Sequence, residues 1–470
     1  MTANPPPRQW PKLRQPLLYR ISRVLVGIGM RGYFRGIELV GQTNIPATGP
    51  VIFASNHPHS ITDALVLGHG TGRMLHFLAH SGLFTTRFKA WFLRNSGVIP
   101  IYRARDVVDA ADANVAMFSA CHEVLNSGGA IGVFPEGTSA EERRVQKLKT
   151  GTARIALGAE AEAGWNLGVQ IIPVGLNFES TNRFRSRILI RFGPPLHAGD
   201  YDTLYADDAI AAGTALTTAL QQALQHEVVN VEQSASEQLV RDVENIYRAE
   251  LMCRADVVIP GETDFQKSQT VSREFARALD YFQATNPEVL WGVSRRLRRY
   301  NAMCKTMKLK DNMLRTEQGP RMRQELGRFV GMGLAGLPWA LLGLVGNYLP
   351  YRLTNLLTRR IAADRTKIHL TQFVLGCLFF LPWYVWVGRS ALSPLGTLGA
   401  GLLLLAMPAA GLFARGYFRY LTRRRQMMRF AWLELVHGLR INDMRRQRRT
   451  LIRELDAAMA DYMTSLEETS

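Results

Sequence analysis

Two short stretches hold residue types whose spacing suits chemistry. Asn56-His57-Pro58-His59-Ser60-Ile61-Thr62-Asp63 sets an imidazole and a carboxylate six positions apart. A neutral imidazole can take a proton from a hydroxyl, and a carboxylate on its other nitrogen fixes the tautomer and stabilises the imidazolium as it forms. On a continuous helix six residues turn through about 600°, which would point His57 and Asp63 in different directions. They meet only if His57 lies outside the helix that carries Asp63. Pro58 supplies this condition, because the residue before a proline is driven out of the helical region and proline itself suits a first helical turn. His59 is the alternative base.

The second stretch is Phe134-Pro135-Glu136-Gly137-Thr138-Ser139, after the apolar run Ala130 to Val133. A buried strand that ends abruptly in proline and glycine leaves the next backbone amides facing outward, an arrangement that binds phosphate. Lys149 precedes Thr150-Gly151 at the entrance to a helix, where amides and the helix dipole favour an anion. Lys149 is therefore a candidate phosphate ligand, while Arg143, Arg144 and Lys147 read as a solvated basic loop.

These stretches need a scaffold. Val51 to Ala54 reads as a short buried strand leading into the His57 stretch, and Thr62 to Gly68 as the start of a helix. Phe84 to Arg94 and Val107 to Leu125 have helical periodicity, the second stopped by Asn126-Ser127-Gly128-Gly129. Strands are predicted at Gly36 onward, Val98 to Tyr102, Ala130 to Phe134, Val169 to Leu176 and Arg187 to Phe192, with a helix over Thr152 to Ala163. Strands alternating with helices give an α/β domain with a mainly parallel central sheet flanked by helices, over residues 36–206. Residues 1–35 hold an amphipathic helix that lies either on an anionic membrane surface or on its own domain.

Residues 207–326 lack strand candidates and read as a helical region. Three stretches in 327–415 then approach the roughly 20 apolar residues that a membrane-spanning helix needs: 329–349, 370–388 and 395–414. The basic residues Arg352, Arg359, Arg360, Arg365 and Lys367 on one side, and Arg415, Arg419 and Arg423 to Arg425 on the other, make the last two stretches a hairpin with both ends cytoplasmic. For 329–349, rich in Gly331, Gly333, Gly336 and Pro338, the expectation is a re-entrant or interfacial segment. Residues 416–470 form a basic, then acidic, helical tail.

The chain of 470 residues carries 57 Lys and Arg against 39 Asp and Glu, a net charge of +18, which calls for an anionic partner. No nucleic-acid-binding motif accompanies that charge, and the arginine-rich segments flank apolar stretches where cytoplasmic positive charge belongs, so no nucleic-acid partner is expected. The four cysteines, Cys121, Cys253, Cys304 and Cys377, are scattered without metal-ligand or disulfide spacing. No cleavable signal peptide is read at the amino terminus, and no metal or bound cofactor is implied.

Together with Gly97-Val98-Ile99-Pro100-Ile101-Tyr102-Arg103 and Ile172-Pro173-Val174-Gly175, the two chemical stretches resemble, in order, the four motifs of the PlsC-type glycerolipid acyltransferases. The commonest pattern of that family has four residues between His and Asp. The five found here resemble the branch of fungal glycerol-3-phosphate acyltransferases and their bacterial relatives, which carry a membrane-embedded carboxy-terminal half. The resemblance implies the glycerolipid acyltransferase fold and transfer of a fatty acyl group from acyl-coenzyme A or acyl carrier protein to the hydroxyl of glycerol 3-phosphate or 1-acylglycerol 3-phosphate (lysophosphatidic acid). It implies His57 and Asp63 as the base pair, and Arg103, Glu136, Gly137 and Thr138 as binders of the acceptor. Pro173, Val174 and Gly175 would shape the acyl pocket; Leu67, His69, Trp91 and Phe92 are further candidates to line an acyl channel, with ordinary core packing as the alternative. Membrane lipids are the expected partners, and the residue composition points to a bacterial inner membrane with the catalytic domain cytoplasmic. The alternatives are a membrane lipid-binding or remodelling protein with altered catalysis, or acylation of another lysophospholipid.

Overall fold

A computed structural model describes residues 16–101, 110–139, 144–179, 185–229, 263–315, 322–361 and 368–469, with isolated residues between 239 and 250. The chain divides into two compact units, residues 1–234 with 259–273, and residues 235–258 with 274–470.

The first unit is an α/β domain. Helix α1 (Leu17–Tyr33) precedes β1 (Gly36–Val40), β2 (Val51–Ser55), α2 (Ile61–Gly70), β3 (Leu75–His80), α3 (Arg87–Asn95) and β4 (Ile99–Ile101). Then come α4 (Ala110–Asn126), β5 (Ala130–Val133), α5 (Gly151–Glu162), β6 (Gln170–Phe178), β7 (Arg187–Phe192), β8 (Leu196–His197), α6 (Asp202–Asp207) and α7 (Ala209–Glu227). The strands form one sheet in the order β1-β7-β6-β2-β5-β3-β4, with β8 on β6. Pairing is parallel except where β6 meets β7 and β8, so the sheet is mainly parallel as expected.

Strand β2 lies at the centre because both its faces are apolar. Val51 and Phe53 join the core beneath α1 and α2, and Ile52 and Ala54 join the core shared with α4, α5 and α7. That is the period-two alternation of a strand covered on both sides. Residues 75–80 form a strand that the sequence reading leaves unassigned. The domain also runs past residue 206. Helix α7 packs Leu216, Leu220 and Leu224 into the core, and its carboxy-terminal end lies so close to β6 that a side chain on Gly175 would meet the Glu227 carbonyl at 2.1 Å.

Helix α8 (Asp264–Thr285) spans the boundary of the two units. The second unit continues through α9 (Pro287–Thr306), α10 (Asp311–Leu314), α11 (Met322–Ile361), α12 (Ile368–Val436) and α13 (Gly438–Thr469). The three expected apolar stretches fall on two long helices. Residues 329–349 lie in α11, which continues unbroken through its glycines and Pro338, so the re-entrant shape is not formed. Residues 370–388 and 395–414 both lie in α12 and meet at Gly396, whose φ of 66° breaks the helix into two arms. A side chain on Gly388 would touch Leu404, sixteen positions on and about 24 Å away along a straight helix, so the arms fold back on one another.

The glycines of α11 serve packing. A side chain on Gly336 would meet Tyr417 at 2.7 Å, and one on Gly343 would meet the Ala410 carbonyl at 2.0 Å. Small residues thus let α11 and the second arm of α12 approach closely, in antiparallel register. Asn347 seals the contact: its side chain donates to the Gly343 and Met407 carbonyls at 2.9 and 3.1 Å and accepts from the Tyr384 hydroxyl at 2.7 Å. Leu334, Trp339, Val345, Leu378, Leu381, Val385, Leu398 and Leu405 remain exposed.

Candidate active site

Parallel pairing brings the carboxy-terminal ends of β2, β5 and β6 side by side, with Ala54 opposite Val133 and Ser55 opposite Val174. The chain leaving β2 is fixed at its first residue. Asn56 accepts from the Leu176 amide at 2.7 Å and donates to the Leu176 carbonyl at 3.2 Å, borrowing both backbone groups of one β6 residue. Residues 56–60 stay outside the helix, and Ser60, with φ 57° and ψ −128°, reverses the chain before α2 starts at Ile61. A non-glycine residue at positive φ is costly and persists where the surroundings over-determine it. This turn accommodates the five intervening residues and points His57 back at Asp63.

His57 Nδ1 and Asp63 Oδ2 are 2.9 Å apart. The same carboxylate oxygen accepts the His59 amide at 2.7 Å. Asp63 is wholly buried, and that burial pushes its carboxyl above the usual range, while the hydrogen bond and charge of His57 and the His59 amide pull it back. Facing a carboxylate, Nδ1 carries the imidazole proton and Nε2 keeps its lone pair. The His57 side chain is 19% exposed, whereas that of Asp63 is wholly covered. The alternative base is placed elsewhere: the His59 ring is buried, edge-on to Phe178 at 4.4 Å, and its backbone rather than its ring serves Asp63.

The strand β5 side of the site is built against this pair. Phe134 stacks on the His57 ring at 4.0 Å with 15° between planes, and Phe77 of β3 stacks behind Phe134 at 6.3 Å. Gly132 makes room for Phe77, since a side chain there would meet its ring at 2.6 Å. Three residues beyond the stacked ring, the Gly137 amide closes a turn on the Phe134 carbonyl at 3.0 Å. Gly137 has φ 71°, and a side chain on it would lie 2.7 Å from Lys149 Nζ. The ammonium therefore lies across the glycine at the mouth of α5, whose first residue is Gly151. Lys149 also donates its amide to the Pro135 carbonyl at 2.9 Å, which locks the two ends of the loop together.

Glu136 is buried and accepts the Gln146 amide at 3.3 Å, so it organises the returning chain. Thr138 is exposed at the loop tip. Arg103 lies outside the described residues. Pro173 and Val174 are buried in β6, and Gly175 has a packing role under the Glu227 carbonyl. Leu67 is core, His69 is partly buried, and Trp91 and Phe92 lie on the exposed side of α3. Among the described residues, no three His, Cys, Asp or Glu side chains gather as a metal set would. Asn56 and Phe134 stand in the two stretches read from the sequence, but their contacts, and the parts played by Phe77 and Gly132, join separate strands and enter only in the structure.

Residues 36–177 match the family model described as Acyltransferase. A stretch of 95 residues is 36% identical to glycerol-3-phosphate O-acyltransferase 2 of Saccharomyces cerevisiae, covering 20% of this chain and 13% of the yeast protein. A stretch of 166 residues is 26% identical to the chloroplastic 1-acyl-sn-glycerol-3-phosphate acyltransferase LPAT1 of Arabidopsis thaliana, covering 35% and 42% of the two chains. The solved 1-acyl-sn-glycerophosphate acyltransferase PlsC of Thermotoga maritima aligns over 43% of this chain and 78% of its own, at 18% identity and a TM-score of 0.31. The chain thus spans less than half the length of either curated relative. The resemblance carried by the four motifs, including its fungal branch, is borne out by the family model and the two curated matches.

Proposed function

We propose that the chain is a glycerolipid O-acyltransferase that moves a fatty acyl group from a thioester, acyl-coenzyme A or acyl carrier protein, to a hydroxyl of glycerol 3-phosphate or 1-acylglycerol 3-phosphate. The observation that carries this reading is the wholly buried Asp63 carboxylate, held 2.9 Å from Nδ1 of a partly exposed His57. The matches to glycerol-3-phosphate and 1-acyl-sn-glycerol-3-phosphate acyltransferases support the choice of acceptor class.

In this reading Lys149 and the amides near Gly137 hold the acceptor phosphate, with Arg103 and Thr138 as further contacts. His57 Nε2 takes the acceptor hydroxyl proton while the oxygen attacks the thioester carbonyl carbon. Asp63 stabilises the imidazolium. The tetrahedral intermediate collapses by breaking the carbon–sulfur bond, and His57 returns the proton to the leaving thiolate. The ester forms without a covalent enzyme intermediate. The acyl chain lies toward Pro173 and Val174. The exposed apolar faces of α11 and α12 anchor the chain in a bilayer, a bacterial inner membrane in this reading.

The test uses membranes containing the wild-type chain or His57→Ala, given labelled acyl-coenzyme A or acyl carrier protein with glycerol 3-phosphate or 1-acylglycerol 3-phosphate in parallel. Transfer to one acceptor, lost in the variant, is the expected result and identifies that acceptor. Equal activity in the variant, or none with either acceptor in the wild type, overturns the proposal.

A further inference from the structure

The second unit contains a cleft of about 380 Å³ lined by Leu314, Arg315, Asn442, Arg445, Arg446, Arg448 and Arg449. That volume suits a small-molecule group. Five of the seven lining residues are arginines and none is acidic. Asn442, Arg445, Arg446 and Arg449 follow the i, i+3, i+4, i+7 spacing that puts side chains on one face of α13.

The two innermost arginines are held in place from behind. Arg448, 4% exposed, donates from Nε and Nη2 to the two carboxylate oxygens of Asp311 at 2.9 and 3.1 Å, and from Nη2 to Glu250 at 3.0 Å. Tyr300 donates at 2.7 Å to Asp311 Oδ1, the oxygen that accepts from Arg448 Nε. Arg445, 9% exposed, lies 2.7 Å from Glu434 through Nη2 and donates from Nη1 to Asn442 at 3.3 Å. Its Nε is buried with no hydrogen-bond partner among the described residues. Arg315 pairs with Glu250 at 3.4 Å. Three carboxylates, all outside the lining, thus orient three guanidinium groups. Arg446 and Arg449, both exposed, add two further charges to the lining.

An unpartnered buried donor is expensive unless something accepts from it, and the planar guanidinium fork matches the oxygens of a phosphate. We propose that this cleft is a binding site for a phosphate group, either of a soluble phosphorylated compound or of a phospholipid headgroup. It is separate from the acyltransferase site of the first unit, and its argument does not depend on the activity assigned there.

Titration calorimetry on the detergent-solubilised full chain tests the site in two arms. One arm uses inorganic pyrophosphate, and the other uses short-chain phosphatidic acid against phosphatidylcholine of the same chain length. Four proteins are compared: wild type, Arg446→Gln with Arg449→Gln, Arg446→Lys with Arg449→Lys, and Lys149→Gln. Both arginines are exposed, so their replacement leaves the packed core intact. The glutamine pair is expected to weaken binding at least about tenfold in one arm, and the lysine pair to weaken it in the same arm, because lysine keeps the charge and loses the fork. Lys149→Gln leaves that binding unchanged. The responding arm identifies the source of the phosphate. Wild-type binding by the glutamine pair in both arms, or by the lysine pair, which would signify diffuse charge, overturns the proposal. So does binding that only Lys149→Gln removes.

Discussion

Asp63→Asn separates the chemistry of the buried pair from its architecture. Asp63 Oδ2 accepts both the His59 amide and the His57 Nδ1 proton, while Oδ1 is buried without a partner. An asparagine carbonyl at the Oδ2 position keeps both bonds, and its amide group takes the place of Oδ1. The negative charge is removed, and two N–H donors now stand where Oδ1 had no partner. Loss of the charge relieves the desolvation that pushes the carboxyl upward and the unpartnered amide costs about 1–3 kcal/mol, so the two effects offset and the variant is expected to stay folded and to melt within a few degrees of wild type. Catalysis fares differently. The imidazolium formed in the transition state loses a unit charge centred about 4 Å away, worth about 4 kcal/mol at an effective dielectric near 20. That corresponds to about a thousandfold fall in kcat with KM little changed. Steady-state acyl transfer with both acceptors, beside thermal melts of the same preparations, measures both quantities. Activity within about tenfold of wild type in a folded Asp63→Asn would refute the charge argument. A variant that is inactive because it is unfolded at the assay temperature would refute the claim that the pair's role is chemical.

Gly137→Ala places a methyl group where φ is 71° and Lys149 Nζ would be 2.7 Å away. It should cost about 1 kcal/mol of stability and raise the KM for the phosphorylated acceptor, read by melting and by acceptor saturation curves. Lys149→Ala should raise that KM at least about tenfold with a smaller effect on kcat, since the ammonium is assigned to binding. Burial holds His69 and His76 below the ordinary histidine value. Their stabilising contribution is therefore present above the unfolded value of about 6.5 and is lost as pH falls through that value toward the folded one. Melts between about pH 7.5 and 5.5 should show the loss, and His76→Gln should flatten it. In the second unit, Gly343→Ala already puts a methyl group 2.0 Å from the Ala410 carbonyl and should part α11 from α12, seen as faster proteolysis in detergent, whereas Gly331→Ala, which meets no neighbour, should not.

The local chemistry was legible because it is encoded locally. Pro58 after His57 already requires the imidazole to leave the helix, and α2 indeed begins at Ile61, which lets the pair meet at 2.9 Å. The strand that ends in Phe134-Pro135-Glu136-Gly137 and the helix opening at Gly151 were likewise written in consecutive residues. The apolar character of the carboxy-terminal half was legible from run length alone. Everything that joins distant segments was not. The Asn56 clamp reaches 120 positions to Leu176, Phe134 covers His57 from another strand, and α7 belongs to the sheet domain through contacts at Gly175. The glycines of α11 looked like a broken, re-entrant segment. They are instead the surface on which Tyr417 and the Ala410 carbonyl pack. A sequence specifies the dihedral preferences and polarity of each segment, which place His57 and Asp63 together within one turn. Which ring stacks on the imidazole, and which helix a bare glycine admits, are decided by close packing between segments far apart in the chain, and only the folded structure contains those contacts.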